Sequence, residues 1–419
     1  HVSVTRRKPS RGRDLAPVAA PIANALGDSH NFGRRVEPSN GRIQKPRTVL
    51  WEWLLLCAES PLRKLLSETA ARDGLGQDAF DFLPTLRFFD HEAPHAGEVE
   101  ELRLEPLHAD SAEARRELSV VVGRSLALWS WLGVADLHWE NLVLGVNAAG
   151  HTVFGPLDIE MILAELSMPT ETKLLPDADP EYAELCRHAA GARRVLPYLG
   201  KPIQAPDLLA MAAAYHGCLV FLDRHAAAIA QVFSDLPSLR DTPLRVLLRS
   251  TGDYVHASQH PQSLWPPLLE AETEQMARGD IPYFFRLYER PGIHYYANVA
   301  LTELGQLPLR GDVPQLDPML SLSRSLRSPA RSKLHQDGLF TLLGAFDHRS
   351  LTGQHASGDL AITWTGRKLI VKLPDGDELE TQRNLRAFVG SLYLPCECGE
   401  VRTVFVPPVT ACTARRGKV

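Results

Sequence analysis

The 419-residue chain is predicted to be an α+β protein, predominantly helical, closed by a small β-containing appendage. Three observations predict it. Apolar residues recur at helical spacing in long stretches of the first third and again through the middle of the chain. Short β-branched runs, NLVLGV and HTVFGPLDI among them, are bounded by Asn, Gly and Pro. Residues 331–419 change character, and GDLAITWTGRKLIVKLPDGDELE alternates as a hairpin turning at Thr365–Gly366.

Taken in order, residues 1–24 form a basic tail without apolar periodicity, expected to be disordered. The chain starts at His1 rather than Met, which reads as a processed or partial product. Residues 25–48 predict a Gly-containing loop and a short strand ending at RIQKPR, where Pro46 stops the ladder. A helix is expected from Val49 to about Ala71, because Trp51, Leu54, Leu55, Leu62, Leu65 and Leu66 share one helical face. Ser111 is the predicted N-cap of a second long helix, SAEARRELSVVVGRSLALWSWLGV. Two strands joined by NAAG follow as a hairpin, and from about Pro180 to Tyr288 the pattern is helical with proline-marked breaks. The expected units are 25–105, 106–330 and the appendage 331–419.

Composition excludes some classes of function. With 44% hydrophobic and 23% charged residues and a net charge of -5, the chain has no general attraction for nucleic acid or acidic membranes. The apolar run VLWEWLLLCA is broken by Glu52 and is too short to span a bilayer, and no stretch has the layout of a signal peptide, so no membrane span and a cytoplasmic location are expected. Cys57, Cys186, Cys218, Cys396, Cys398 and Cys412 read as reduced thiols, and CECG lacks a second ligand pair at zinc spacing.

The segment VADLHWENLVLG places two acids, an imidazole and a carboxamide within six residues of one another, from Asp136 to Asn141. Asp136 and Asn141 have the D-x-x-x-x-N spacing of a kinase catalytic loop, where the acid orients or deprotonates a hydroxyl and the amide oxygen binds Mg²⁺. The following hairpin leads to Asp158 and Glu160, a second pair of candidate metal-binding acids. Phosphoryl transfer needs such groups to converge from two backbone segments, with a lysine on the phosphates, and Lys45 is the candidate. Gly27 and Gly33 in GDSHNFGRRV would let backbone amides approach those phosphates. Taken singly, these features read better as a polar turn, a solvated helix start and an edge-strand lysine. Their order, with the hairpin between, favours a kinase-like bilobal core.

GDSHNFGR (27–34), KPR (45–47), DLHWEN (136–141), LDIE (157–160), RVLLRSTGDYVH (245–256) and GDIPYF (279–284) together resemble the dehydratase domain of class II lanthipeptide synthetases. That family has a lipid-kinase-like fold and phosphorylates Ser and Thr of a precursor peptide before eliminating the phosphate. The resemblance covers roughly residues 25–290. It implies Lys45 on ATP phosphate, Asp136 as catalytic acid with His138 beside it, and Asn141, Asp158 and Glu160 around Mg²⁺. It further implies that Asp28, His30, Arg245 and Thr251 serve the elimination. Arg245 and Arg249, spaced i,i+4, are expected on one helix face, where both reach one phosphate.

The implied partners are a ribosomally made precursor peptide carrying Ser or Thr and a leader, and a separate cyclase. Only 26 residues precede the GDSH motif, where the family has a substantial region, so a protein supplying that region is a further implied partner. Gln44 stands where the family has an aromatic residue. Two other readings compete: a phosphotransferase that stops at the phosphorylated product, and a peptide-binding domain without catalysis.

Overall fold

The computed structural model describes residues 26–163, 172–174, 191–200, 203–249, 251–260, 268–288 and 290–308, then segments 338–339, 342–343, 353–357, 360–364, 368–374, 378–382, 392–395, 401–404 and 413–415. The basic tail, the turn Thr365–Gly366, Cys186, Cys396, Cys398 and Cys412 lie outside the described residues. The architecture is mixed α+β, with several small antiparallel sheets around a helical core.

The first sheet contains β1 (Leu26–His30), β2 (Arg34–Ser39), β3 (Arg42–Lys45), β4 (Phe88–Asp90) and β5 (Gly97–Glu100), in the spatial order β1-β2-β3-β5-β4. Ser39 pairs with Arg42, so Asn40 and Gly41 alone make the β2–β3 turn, and both have the positive φ that a two-residue hairpin turn requires, 50° and 77°. Pro46 ends β3 as predicted, leaving Lys45 at the last ladder position opposite Gly97.

The single helix expected over 49–71 is instead two, α1 (Leu50–Leu56) and α2 (Pro61–Arg72). Cys57 turns to an extended conformation, and Ser60 with Pro61 begins a new helix. The Ser60 hydroxyl accepts from the Arg63 N–H at 3.2 Å while Pro61 occupies a position that needs no donor.

The core is built on α3 (Ala112–Trp131) and α4 (Ala205–Arg224). Ser111 caps α3 as predicted, its hydroxyl accepting from the Ala114 N–H at 3.0 Å. At Gly123 the two helices come so close that a Cβ would stand 2.3 Å from the Met211 carbonyl oxygen. The Trp131 indole also donates to Asp223 of α4 at 2.9 Å. The apolar helix α4 is long enough to cross a membrane, but two-thirds of its apolar window (67%) is buried inside the fold. It is a core helix.

At the end of α3, Gly133 takes φ 65° and the Val134 and Gly133 amides donate back to Trp129 and Ser130, which closes the helix and starts the Asp136 loop. The predicted hairpin follows as β6 (Leu142–Val146) and β7 (Thr152–Pro156). The Asn147 side chain holds its turn by accepting from Ala149 and His151. β7 is tied to α3 through Ser125, whose hydroxyl donates to the Phe154 carbonyl while accepting from Trp129. The hairpin thereby delivers residues 157–160 at a fixed place.

Helix α5 (Ala226–Ser234) continues the core. Beyond it, β8 (Leu244–Val246), β9 (Phe284–Leu287), β10 (Arg290–Tyr296) and β11 (Leu304–Gln306) form a sheet ordered β11-β10-β9-β8, with α6 (Thr251–Gln259) and α7 (Glu270–Ala277) between β8 and β9 in the chain. Arg245 therefore lies on a strand, paired with Phe285, and the helix face expected to carry Arg245 and Arg249 does not exist. Three residues of strand are specified by their partner β9, which local sequence does not reveal.

Residues after 331 were expected to be an appendage. Strands β12 (Gly353–Ser357), β13 (Leu360–Trp364), β14 (Lys368–Lys372) and β15 (Glu378–Gln382) form an antiparallel sheet whose first two strands touch α4. Leu339, Leu342, Leu343, Leu360, Ile362 and Val371 are buried in the same apolar cluster as α3 and α4. This sheet is part of the main core, because the wide apolar surface of α4 needs a cover on its second side.

Candidate active site

Lys45, at the buried end of β3, is 7% exposed. Its ammonium donates to Glu52 Oε1 at 3.1 Å and to the Leu157 carbonyl at 2.8 Å, and lies 3.9 Å from Asp158 Oδ1. Glu52 on α1 is fully buried. A carboxylate at such a position is tolerable only when paired, and it serves two cations, since Arg47 binds it as well. Arg47 also contacts Asp158, and its Nε lies 2.7 Å from Glu160 Oε1. The far oxygen of Glu160 is held by Arg245 Nη1 at 3.0 Å, while the Arg245 backbone N–H donates to the Glu160 carbonyl at 2.9 Å. Three cations from β3, its following loop and β8 thus interlock with three carboxylates from α1 and the 157–160 segment.

The Asp136 loop lies against this cluster. Ala135 donates to the Met161 carbonyl at 3.0 Å, Leu157 donates to the Asn141 carbonyl at 3.2 Å, and Leu137 is fully buried as an anchor. Asp136 itself adopts φ 64°, a conformation costly to a residue with a Cβ. Its carboxylate binds Lys173 at 2.7 Å. Burial pushes the Asp136 carboxyl up, but Lys173, with help from His138 and Arg245, outweighs it and holds the group below the usual carboxylate range. Burial likewise opposes ionisation of Asp158, and Arg47, Lys45 and Arg245 together overcome it, so that Asp158 titrates well below its ordinary value. His138 is partly exposed and 3.9 Å from Glu140.

Asn141 Nδ2 contacts the Asp136 carbonyl at 2.9 Å. A carbonyl oxygen only accepts, so the contacting atom is the amide nitrogen and Oδ1 points elsewhere. Asn141 Oδ1 and the Asp158 carboxylate are hard oxygen donors on adjoining segments, the type that Mg²⁺ takes. Among the described residues no cluster of three acidic, His or Cys ligands occurs. Glu160, expected as a metal ligand, is engaged through both oxygens by Arg47 and Arg245, which removes it from the candidate metal set.

His30, at the end of β1, is coupled electrostatically to Arg245 and Glu160 of the same cluster. Burial, then Arg245, lowers its pKa, while Glu160 pulls the other way. Tyr283 stands between, its ring 5.6 Å from the His30 ring and 5.3 Å from the Arg245 guanidinium. Asp28 is exposed, and Thr251 is half-buried at the first position of α6. A small cavity of about 10 Å³, room for roughly one water, lies among Asn31, Arg47, Trp51, Glu160, Tyr283 and Tyr296.

Two expected phosphate-binding elements are differently employed. The β1–β2 turn puts Asn31, Phe32 and Gly33 at φ 49°, 69° and 82°. The Phe32 and Gly33 amides donate to the Asp280 carboxylate at 2.8 and 2.9 Å, and the Ser29 hydroxyl joins them at 2.8 Å. The anion cradled by this turn is a side chain of the protein itself. Arg249 pairs with Glu272 at 2.9 Å in a buried cluster completed by the Tyr254 hydroxyl, and so diverges from Arg245.

Sequence reasoning missed Arg47, Glu52, Lys173, Asp280 and Tyr283. Glu52 had a signal, being an acid set inside an otherwise apolar helical run. Asp280 and Tyr283 stood within the quoted GDIPYF motif without a role. No family model matches the chain, and no curated protein sequence is significantly similar to it.

Proposed function

We propose that this protein is a Mg·ATP-dependent peptide kinase and phosphate lyase, built on a kinase-like bilobal core, that converts Ser and Thr of a precursor peptide to dehydroamino acids in the manner of a lanthipeptide dehydratase. The observation that carries the reading is the buried Lys45–Glu52 pair beside Asp158, with the Asp136–Asn141 loop hydrogen-bonded to the segment that bears Asp158. A strand lysine paired to a helix glutamate next to a metal-binding acid is the arrangement that positions phosphates in kinases.

In this reading Lys45 steadies phosphate charge, and Asn141 with Asp158 would hold Mg²⁺. Bound there, the ion would neutralise charge on the phosphate oxygens during transfer. Asp136, kept ionised by Lys173, orients the Ser or Thr hydroxyl and takes its proton. For elimination, neutral His30 removes the Cα proton, and Arg245 steadies the departing phosphate through charge-assisted hydrogen bonds. The partner is a peptide in the cytoplasm. A transferase that stops at the phosphopeptide is the second reading, favoured by the exposure of Asp28 on the surface of β1.

Asp158→Asn is nearly isosteric but removes the charge that offsets the cation. The variant is expected to remain folded by circular dichroism and to lose transfer of labelled phosphate from Mg·ATP to Ser/Thr peptides. Full phosphate transfer by this variant contradicts the proposal.

A further inference from the structure

The Glu160 carboxylate is held at one oxygen by Arg47 Nε, 2.7 Å away, and at the other by Arg245 Nη1, 3.0 Å away. Two guanidiniums, only 12% and 13% exposed, are thus each fixed on one oxygen of the same planar anion. Arginine forks match carboxylate and phosphate alike. A phosphate monoester differs in presenting three terminal oxygens and a second negative charge. The difference bears on Arg245, whose Nε is buried and has no acceptor among the described residues. One carboxylate shared between two arginines leaves that donor unused, whereas a third oxygen would fill it.

We propose that Arg47 and Arg245 form a phosphate-monoester subsite whose place Glu160 holds until a phosphorylated side chain displaces it. The inference rests on the dehydratase reading and deepens it by giving the released phosphate a second cation, Arg47. Arg47 also contacts Asp158 and Glu52, so it spans from the transfer groups to Arg245. A newly made phosphoserine would pass from one group to the next over the length of one side chain. In the elimination the Cα proton goes to His30 Nε2, the C–H electron pair becomes the Cα=Cβ bond, and the Cβ–O pair leaves with the phosphate onto the two arginines. Glu160 returns to them as the phosphate departs, which speeds release by competing for the same donors.

The test is calorimetric titration of the full chain with inorganic phosphate and with N-acetyl-phosphoserine methylamide, alongside thermal melting of each variant. The wild type is expected to bind both ligands, Arg47→Gln to lose at least about tenfold in affinity, and Glu160→Gln to gain about tenfold, because its neutral amide competes poorly for the guanidiniums. If Arg47→Gln does not fold, Arg47→Lys serves, with an intermediate loss expected because a lysine cannot form the fork. Unchanged affinity in the folded Arg47 variant overturns the role of Arg47. Unchanged or weaker affinity in Glu160→Gln overturns the displacement, and a wild type and Glu160→Gln that both fail to bind overturn the subsite. Binding that follows these expectations without any peptide dehydration supports the subsite and refutes the dehydratase reading instead, so the two failures are distinguishable.

Discussion

His30 Nδ1 lies 2.7 Å from the carbonyl oxygen of Ile281. The carbonyl can only accept, so Nδ1 carries the proton, and in the neutral ring the lone pair belongs to Nε2. Burial and Arg245 lower the pKa of this ring, so the neutral form persists below the ordinary histidine range. Elimination is therefore expected to stay active as pH falls to the ordinary histidine value and to decline only below it, as Nε2 takes a proton. His30→Gln should leave phosphorylation in place and remove elimination. The same shift bears on stability: the folded ring binds its proton less tightly than the unfolded one, so the contribution is complete above the unfolded pKa, about 6.5, and is lost as pH falls from there through the folded value. A pH profile of phosphopeptide conversion checks this, and elimination by His30→Gln at the wild-type rate would contradict it.

Asp280 fastens the hairpin that carries His30. Its carboxylate, 2% exposed, accepts from Ser29, Phe32 and Gly33. Next to it, Ile281 binds back to β1 through both its N–H, to Ser29, and its carbonyl, to His30. Asp280→Ala strands three donors and releases a turn held in positive φ, with an expected loss on the order of 3 kcal/mol. Urea unfolding measures it. A change below about 0.5 kcal/mol, the range of an ordinary surface substitution, would show that the turn is held by other means.

Glu52 is a shared counter-ion of Lys45 and Arg47. Glu52→Gln leaves both cations short of charge and frees them to seek Asp158 and Glu160 more tightly. Phosphate transfer is expected to fall roughly 10²–10³-fold, the scale of losing one preorganised electrostatic group, with ATP KM raised. Steady-state kinetics on a Ser/Thr peptide read both constants, and wild-type values would remove Glu52 from the site.

Parts of this arrangement are legible in the sequence because they are local. Pro46 ends β3 beside Lys45, Ser111 caps α3, and NAAG turns the hairpin that leads to Asp158, each through a backbone preference of the residues on the spot. The break between α1 and α2 was also locally signalled by Ser60–Pro61, but the apolar spacing runs across it. What is not legible is set by distant partners. Arg245 becomes a strand residue because β9 pairs with it, and the β1–β2 turn binds Asp280, about 250 residues away, instead of offering its amides to a ligand. Glu52 reads as an interruption of a core helix until Lys45 and Arg47 are seen against it. The C-terminal sheet reads as separate because its alternation has one apolar face, and only the fold shows that face against the core of α3 and α4.

Under the proposed function, one site first attaches and then removes phosphate, with Arg245 acting on the second step. Mass spectrometry of a Ser/Thr peptide incubated with Mg·ATP and either the wild type or Arg245→Ala reads both steps. The expected outcome is a peptide that has lost water from the wild type and a peptide that keeps its phosphate from Arg245→Ala. Phosphopeptide accumulating from the wild type, or water loss undiminished in Arg245→Ala, would contradict it.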